Sequence, residues 1–138
     1  MNNMSKVFID SNILIYSQDS DSQYFNRVKE ILTRLAQDRR AGVITPFVVN
    51  EIHYFYSKIY DFRKAKDLTQ KVLSIPNIEL VNNYFNHSDL RKIFSLSIRY
   101  KLRTFDAFHA YTCKKNQIKQ IATFDQDFTR VKWLQIIN

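Results

Sequence analysis

Residues 6–16 read KVFIDSNILIY, and the fold is decided there. Val7, Phe8 and Ile9 form a short apolar run that stops on a carboxylate, Asp10. Ser11 and Asn12 follow, then a second apolar run from Ile13 to Tyr16. A β-rich run of that length bounded by polar residues reads as a buried strand, and Ser-Asn reads as a helix start. Asp10 is therefore expected at the carboxyl end of a central strand, where the chain turns into a helix. In open α/β sheets that edge is where ligands bind. Two roles stand open for Asp10 on this stretch alone: a cap that accepts backbone N–H bonds of the next helix, or a ligand-binding carboxylate.

The rest of the chain repeats the pattern. Ser22 can cap a helix that carries Phe25, Val28, Ile31, Leu32 and Leu35 at helical spacing. Gly42 stops that helix, and Val43-Ile44-Thr45 reads as a second strand. Pro46 suits the first turn of the next helix, which runs to about Tyr60 with Val48, Val49, Ile52, Phe55, Tyr56 and Ile59 on one wide apolar face. Glu51 falls at the edge of that face, where a carboxylate beside the core needs a partner; a rim ion pair with Lys or Arg would supply one. A helix over Phe62–Ile75, ended by Pro76, leads to a strand at Ile78–Val81. Asn86 to Asp89 offers caps for a helix reaching about Lys101, with Leu90, Ile93, Phe94 and Ile98 as its apolar positions. Thr104 can cap the segment TFDAFHAYTC (Thr104–Cys113), which puts Asp106 in a first helical turn, where the helix dipole favours an anion. Gln120–Thr123 is a strand that runs into Phe124-Asp125-Gln126-Asp127-Phe128, another carboxylate after a buried run. Val131–Ile137 reads as a last short strand. Strands alternating with helices argue for a parallel α/β sheet.

Composition narrows the chemistry. A chain of 138 residues suits one domain, residues 1–138, with a core of its own. No apolar run approaches a membrane span, and the start MNNMSK lacks a signal-peptide core. The single cysteine, Cys113, excludes an internal disulfide framework and a cysteine-based zinc site, and fits a reducing, cytoplasmic setting. One glycine excludes a glycine-rich phosphate loop and a dinucleotide fingerprint. His53, His87 and His109 lack any nucleophile motif, and each reads as a surface or structural residue. Lys and Arg number 21 against 13 Asp and Glu, a net charge of +8, and such a surplus suits a polyanionic partner.

In a parallel sheet with right-handed crossovers, strand ends and the starts of the following helices share one edge. That places Asp10, Asp125 and Glu51 together. It does not place Asp106, whose helix follows another helix. Two unit charges about 4 Å apart at an effective dielectric of about 20 repel by roughly 4 kcal/mol, so several ionised carboxylates in one cleft require a cation. A hard divalent ion, Mg2+ or Mn2+, suits oxygen ligands and could activate water for in-line attack on a phosphodiester. Setting these four acids aside leaves 13 − 4 = 9 acids against 21 bases. An acidic pocket in a basic surface is what a metal-dependent nuclease needs.

The motifs FIDSNILIY with Asp10, PFVVNEI with Glu51, TFDAFHAYTC with Asp106 and IATFDQDF with Asp125 resemble, in order and over nearly the whole chain, the PIN-domain family, and within it the toxin ribonucleases of the VapC type from type II toxin–antitoxin systems. The resemblance implies a Rossmann-like, three-layer α/β/α fold with a central parallel sheet of about five short strands. It implies Mg2+- or Mn2+-dependent endonuclease activity on structured RNA, tRNA or ribosomal RNA, together with a cognate VapB-like antitoxin and homodimerisation. Carried over residue by residue, Asp10 and Asp106 are the principal metal ligands. Asp125 completes the site, and Glu51 binds metal or positions the attacking water. Asn12 and Thr123 match polar positions that orient ligands. Asp127 is a second candidate for the fourth acidic position, although the T-x-D pattern favours Asp125. The alternatives are a PIN-type RNA-processing nuclease without a toxin role and an RNA-binding scaffold with a degenerate site.

Overall fold

The computed structural model describes residues 5–138; most of the MNNMSK start, read above for a signal-peptide core, lies outside the described residues. Five strands form one sheet: β1 (Val7–Ile9), β2 (Gly42–Ile44), β3 (Ile78–Leu80), β4 (Gln120–Ala122) and β5 (Gln135–Ile137). Their order is β3-β2-β1-β4-β5, and every pairing is parallel. The expected fold class is thus observed. β1, wholly buried, lies at the centre because Val7, Phe8 and Ile9 can pack on both faces of a sheet.

Six helices connect the strands: α1 (Ser11–Tyr16), α2 (Phe25–Gln37), α3 (Pro46–Ile59), α4 (Phe62–Leu73), α5 (His87–Tyr100) and α6 (Thr104–Lys115). α1 packs on α2 and α3, α3 on α4, and α5 on α6. Right-handed crossovers put α1–α4, which carry the chain from β1 to β2 to β3, on one face, and α5–α6, which carry it back to β4, on the other. From β1 the sheet grows in one direction through β2 and in the other through β4, so the crevice between the ends of β1 and β4 is the topological switch point.

Local chemistry sets the ends of these elements. Thr45 caps α3 by accepting from the Val48 amide at 3.3 Å, and Pro46 opens the helix. Asp61 caps α4. Asn86 and Asp89 make a reciprocal capping box on α5, and Lys101, in the left-handed region at φ 54°, ends it.

Several sequence expectations change. Ser22 does not cap α2, whose N-cap is Tyr24, and Phe55 and Ile59 of α3 are exposed. Gly42 does not stop α2, which ends at Gln37; it opens β2. A Cβ at position 42 would lie 3.0 Å from Ile9 Cγ1, so a side chain there would make the Ile9 side chain give by a few tenths of an ångström. Thr104 is the first residue of α6 rather than its cap, which is Arg103. Phe94 and Ile98 of α5 are 51% and 83% exposed, and Leu96 takes the core position instead. The last strand is three residues long, because Gln126–Arg130 forms a 3-10 turn and Val131 and Leu134 pack into the core before β5 begins. Among the described residues no helix is long and apolar enough to cross a membrane.

Candidate metal and active site

Asp10 follows β1 directly and its carboxylate is buried. Both roles left open by the sequence are visible at this one residue. Oδ1 caps α1 by accepting from the Ser11 amide at 2.8 Å, while Oδ2 accepts from the Thr123 hydroxyl at 2.7 Å and from Asn12 Nδ2 at 3.3 Å. Thr123 Oγ1 in turn accepts from the Asp125 amide at 3.0 Å and from Asn12 Nδ2 at 3.3 Å. Asn12 Oδ1 accepts from the Phe124 amide at 3.3 Å. Asn12 and Thr123 thus tie the end of β1 to the end of β4 across the switch point, with Asp10 between them.

Glu51 comes from the second turn of α3. Its Oε2 accepts from Ser11 Oγ at 3.2 Å, and its Oε1 lies 2.6 Å from His109 Nε2. Its partner is therefore an imidazole, not the Lys or Arg of a rim pair. α3 and α6 meet over the strand ends, where the Phe47 and Phe108 rings lie 4.9 Å apart, and this contact lets a residue from each face of the sheet share the cleft.

Asp106, which sheet logic alone could not place, is in the cleft. α5 and α6 form an antiparallel pair joined by three residues, so α6 runs against β4 and begins at the edge where the strands end. Asp106 sits in its first turn. Burial, then the charges of Asp10 and Asp125, push its carboxyl up to about 7. Burial likewise raises Asp10, against the lowering by His109 and Thr123. Asp125 follows β4, and its Oδ1 accepts from the Asp127 amide at 2.9 Å. The four carboxylates singled out in the sequence fall into two neighbouring sets at the strand ends, Asp10 with Glu51 and Asp106 with Asp125, and the charges of Asp10, Asp125 and Glu51 reach Asp106.

Two sets of donor atoms are close enough to share a cation. Oxygens of Asp10 and Glu51 with a nitrogen of His109, and oxygens of Asp106, Asp125 and Asp127, each lie within 4.8 Å of one another. A donor set dominated by carboxylate oxygens, with two acids pushed toward protonation by burial and then by neighbouring carboxylates, is what a hard divalent cation relieves. Asp127 belongs geometrically to the second set, but Arg130 Nη2 holds one of its oxygens at 3.0 Å, which leaves Asp125 the freer of the two.

His109 is the site residue that the sequence reading missed. It is fully buried, with its ring centroid 5.1 Å from that of Phe8 and Nε2 3.8 Å from Asp10 Oδ1. Burial opposes a charge on it, but the bond to Glu51 and the nearby Asp10 carboxylate outweigh burial and raise its pKa. The signal was available: His109 lies three residues after Asp106, on nearly the same face of the helix.

Against this geometry the comparisons with known proteins are specific. Residues 7–134 match the PIN domain family, and the chain belongs to that family. Within it, the chain's relatives are VapC ribonucleases: it is 30% identical to Ribonuclease VapC2 of Methanocaldococcus jannaschii over 143 residues, covering 96% of this chain and 93% of that protein. Among solved structures, the VapBC2 complex of Rickettsia felis bound to a promoter DNA fragment contains a chain of the same fold, with TM-score 0.74 and 17% identity over 96% of this chain and 98% of that one. Mycobacterium tuberculosis VapC20, a sarcin-ricin loop cleaving toxin, superposes with TM-score 0.73 and 15% identity, over 96% of this chain and 99% of that one. The chain is a nuclease of the VapC group, acting on phosphodiester bonds.

Proposed function

We propose that this chain is the toxin of a VapBC-type pair, a single-domain endoribonuclease that uses Mg2+ or Mn2+ to cut structured RNA, tRNA or ribosomal RNA, in the cytoplasm. The observation that carries the proposal is the convergence of Asp10, Glu51, Asp106 and Asp125, from four separate elements, beside a buried histidine. Asp10, Asp106 and Asp125 would hold the cation. When bound, it supplies Lewis acidity toward the phosphodiester and the incoming water. Glu51 is placed to orient that water and take its proton, and His109 fixes one Glu51 oxygen while Ser11 holds the other. Thr123 and Asn12 orient Asp10, as hydrogen-bonding neighbours do around metal ligands. The surplus of 21 basic over 13 acidic residues draws the RNA backbone toward this acidic centre.

The partner reading has its own support. The Rickettsia felis chain that shares this fold is part of VapBC2, and the Mycobacterium tuberculosis one is a toxin. A VapB-like antitoxin and a second copy of the chain are the proposed partners. Phe94 and Ile98, exposed on α5, offer apolar surface suited to a protein contact.

The test is cleavage of tRNA and ribosomal RNA by the purified protein with Mn2+, with Mg2+ and with EDTA, read by mapping the new ends. Discrete cuts with either ion and none in EDTA are expected. Equal cleavage in EDTA would remove the metal from the mechanism, and no cleavage under any condition would remove the ribonuclease.

A further inference from the structure

A second feature lies away from the acidic cleft. Along the seam between α5 and α6 runs a groove of ≈430 Å³ whose walls include Lys92, Leu96 and Arg99 of α5 and Tyr111, Lys114 and Lys115 of α6. Lys92, Leu96 and Arg99 recur at helical spacing, so one face of α5 carries two cations over an apolar floor. Leu96 and Tyr111, each 8% exposed, make that floor. Four of the lining residues are cations and none is a carboxylate.

The nearby acid, Asp89, is already satisfied. It accepts from the Tyr111 hydroxyl and the Asn86 amide, and it pairs with Lys115 at 3.3 Å. Among the described residues Lys92, Arg99 and Lys114 make no salt bridge; Arg99 lies over the Tyr100 ring at 5.4 Å and Lys114 over the Trp133 ring at 5.9 Å. Three cations in excess, focused along a cleft with apolar walls, attract a line of anions.

Helix α6 links this groove to the acidic site. It begins with Asp106 in its first turn and reaches Lys114 eight residues later, about 12 Å along the axis at 1.5 Å per residue. A stacked strand advances about 3.4 Å per nucleotide along its axis and an unstacked one further, so the groove stands no more than about four nucleotides from the acidic centre.

We propose that the α5–α6 groove docks the sugar–phosphate backbone of the RNA within about four nucleotides of the bond that is cut. This rests on the ribonuclease reading of the acidic site and adds a second anchor to it. The row of cations matches regularly spaced phosphates, and the apolar floor gives a ribose or base edge a dry surface. An RNA is chosen over an acidic polypeptide because the groove lies on the helix that also supplies Asp106.

The test compares the parent, a Lys92→Ala, Arg99→Ala, Lys114→Ala triple variant and a charge-conserving Lys92→Arg, Arg99→Lys, Lys114→Arg control. Binding of fluorescein-labelled oligouridylates of twenty and of four nucleotides is followed by anisotropy across a salt series, with thermal melts confirming that all three proteins fold. For the twenty-mer, the alanine variant is expected to bind about tenfold more weakly. Its slope of log affinity against log salt should fall by about two, three lost contacts at ~0.7 each for a single strand. The four-mer, long enough to fill the groove, should also bind the alanine variant more weakly, and the control should track the parent.

An unchanged twenty-mer affinity and slope in the alanine variant, with the parent binding and cutting RNA, would overturn the groove alone. A parent that binds no oligonucleotide would overturn the groove, whereas a parent that cuts no tRNA or ribosomal RNA would overturn the ribonuclease reading and the groove with it. A twenty-residue polyglutamate that binds the parent but not the alanine variant, with oligouridylate binding unaffected, would reassign the groove to an acidic protein.

Discussion

Asp10→Asn is expected to fold as the parent does and to cut RNA more than about 100-fold more slowly, a larger loss than the 10- to 100-fold typical of residues that only support a metal ligand. Asparagine caps a helix about as well as aspartate, so the amide oxygen can keep the bond from the Ser11 amide, 2.8 Å in the parent. On the other side, an amide nitrogen in place of Oδ2 loses the bonds from the Thr123 hydroxyl, 2.7 Å in the parent, and from Asn12 Nδ2, 3.3 Å in the parent, at a cost of about 1 kcal/mol each. Burial already raises the Asp10 carboxyl above its usual range, so removing its charge relieves the fold while depriving a cation of its central ligand. Asp10→Ala is the less informative variant, since it also loses the cap, at a cost of about 1 kcal/mol. Melting curves and single-turnover cleavage on the same preparation check the prediction. Cleavage within twofold of the parent would show that Asp10 is a cap and nothing more.

The second large effect is an exchange of stability rank at Asp106. The Asp106 carboxyl is raised from 3.8 to about 7, by burial first and then by the Asp10 and Asp125 charges. A group whose folded pKa exceeds its unfolded value contributes stability that is fully present below the unfolded pKa and is lost as pH rises through the folded one. In EDTA, therefore, the parent should lose stability between about pH 4 and pH 8 relative to Asp106→Asn, which has no such proton to release. The two should melt together near pH 4, and the asparagine variant should melt higher at pH 8. Mn2+ should reverse the order at pH 8. A ligand at 100 times its Kd stabilises the folded state by about 2.7 kcal/mol, and the parent should gain that while the variant gains much less. Differential scanning calorimetry at the two pH values, with and without Mn2+, reads all four states. A parent that melts at or above the variant in EDTA at pH 8 would contradict the burial of the Asp106 carboxyl beside Asp10 and Asp125.

How far these residues were legible follows from which contacts each one needs. Asp10 and Asp125 were legible because the period of a buried strand and the position of its end are local properties. The central place of β1 followed from its unbroken apolar run. Asp106 was named by resemblance but not placed by topology, because its position depends on α5 and α6 turning back on each other, a tertiary fact with only a weak local sign in residues 101–103. His109 was missed because a lone histidine on a helix carries no period or spacing of its own; its role appears only when Glu51 arrives from α3, 58 residues earlier. Phe94 and Ile98 misled for the opposite reason. Apolar residues at helical spacing read as core, yet the face of α5 that meets the sheet is set by Ile93 and Leu96. Gly42 misled because a glycine after a helix suggests a stop, whereas here it opens a buried strand whose tight packing on the Ile9 side chain leaves little room for a Cβ.

The central claim is that acids from β1, α6 and the end of β4 grip one hard cation at the switch point of the sheet. Crystals of the protein soaked in Mn2+ and measured at the manganese absorption edge test it most directly. An anomalous peak bonded to Asp10 and Asp106, absent from Asp10→Asn crystals treated identically, is the result expected. Well-ordered maps in which those carboxylates stay free of manganese, or in which the ion binds only elsewhere, would contradict it.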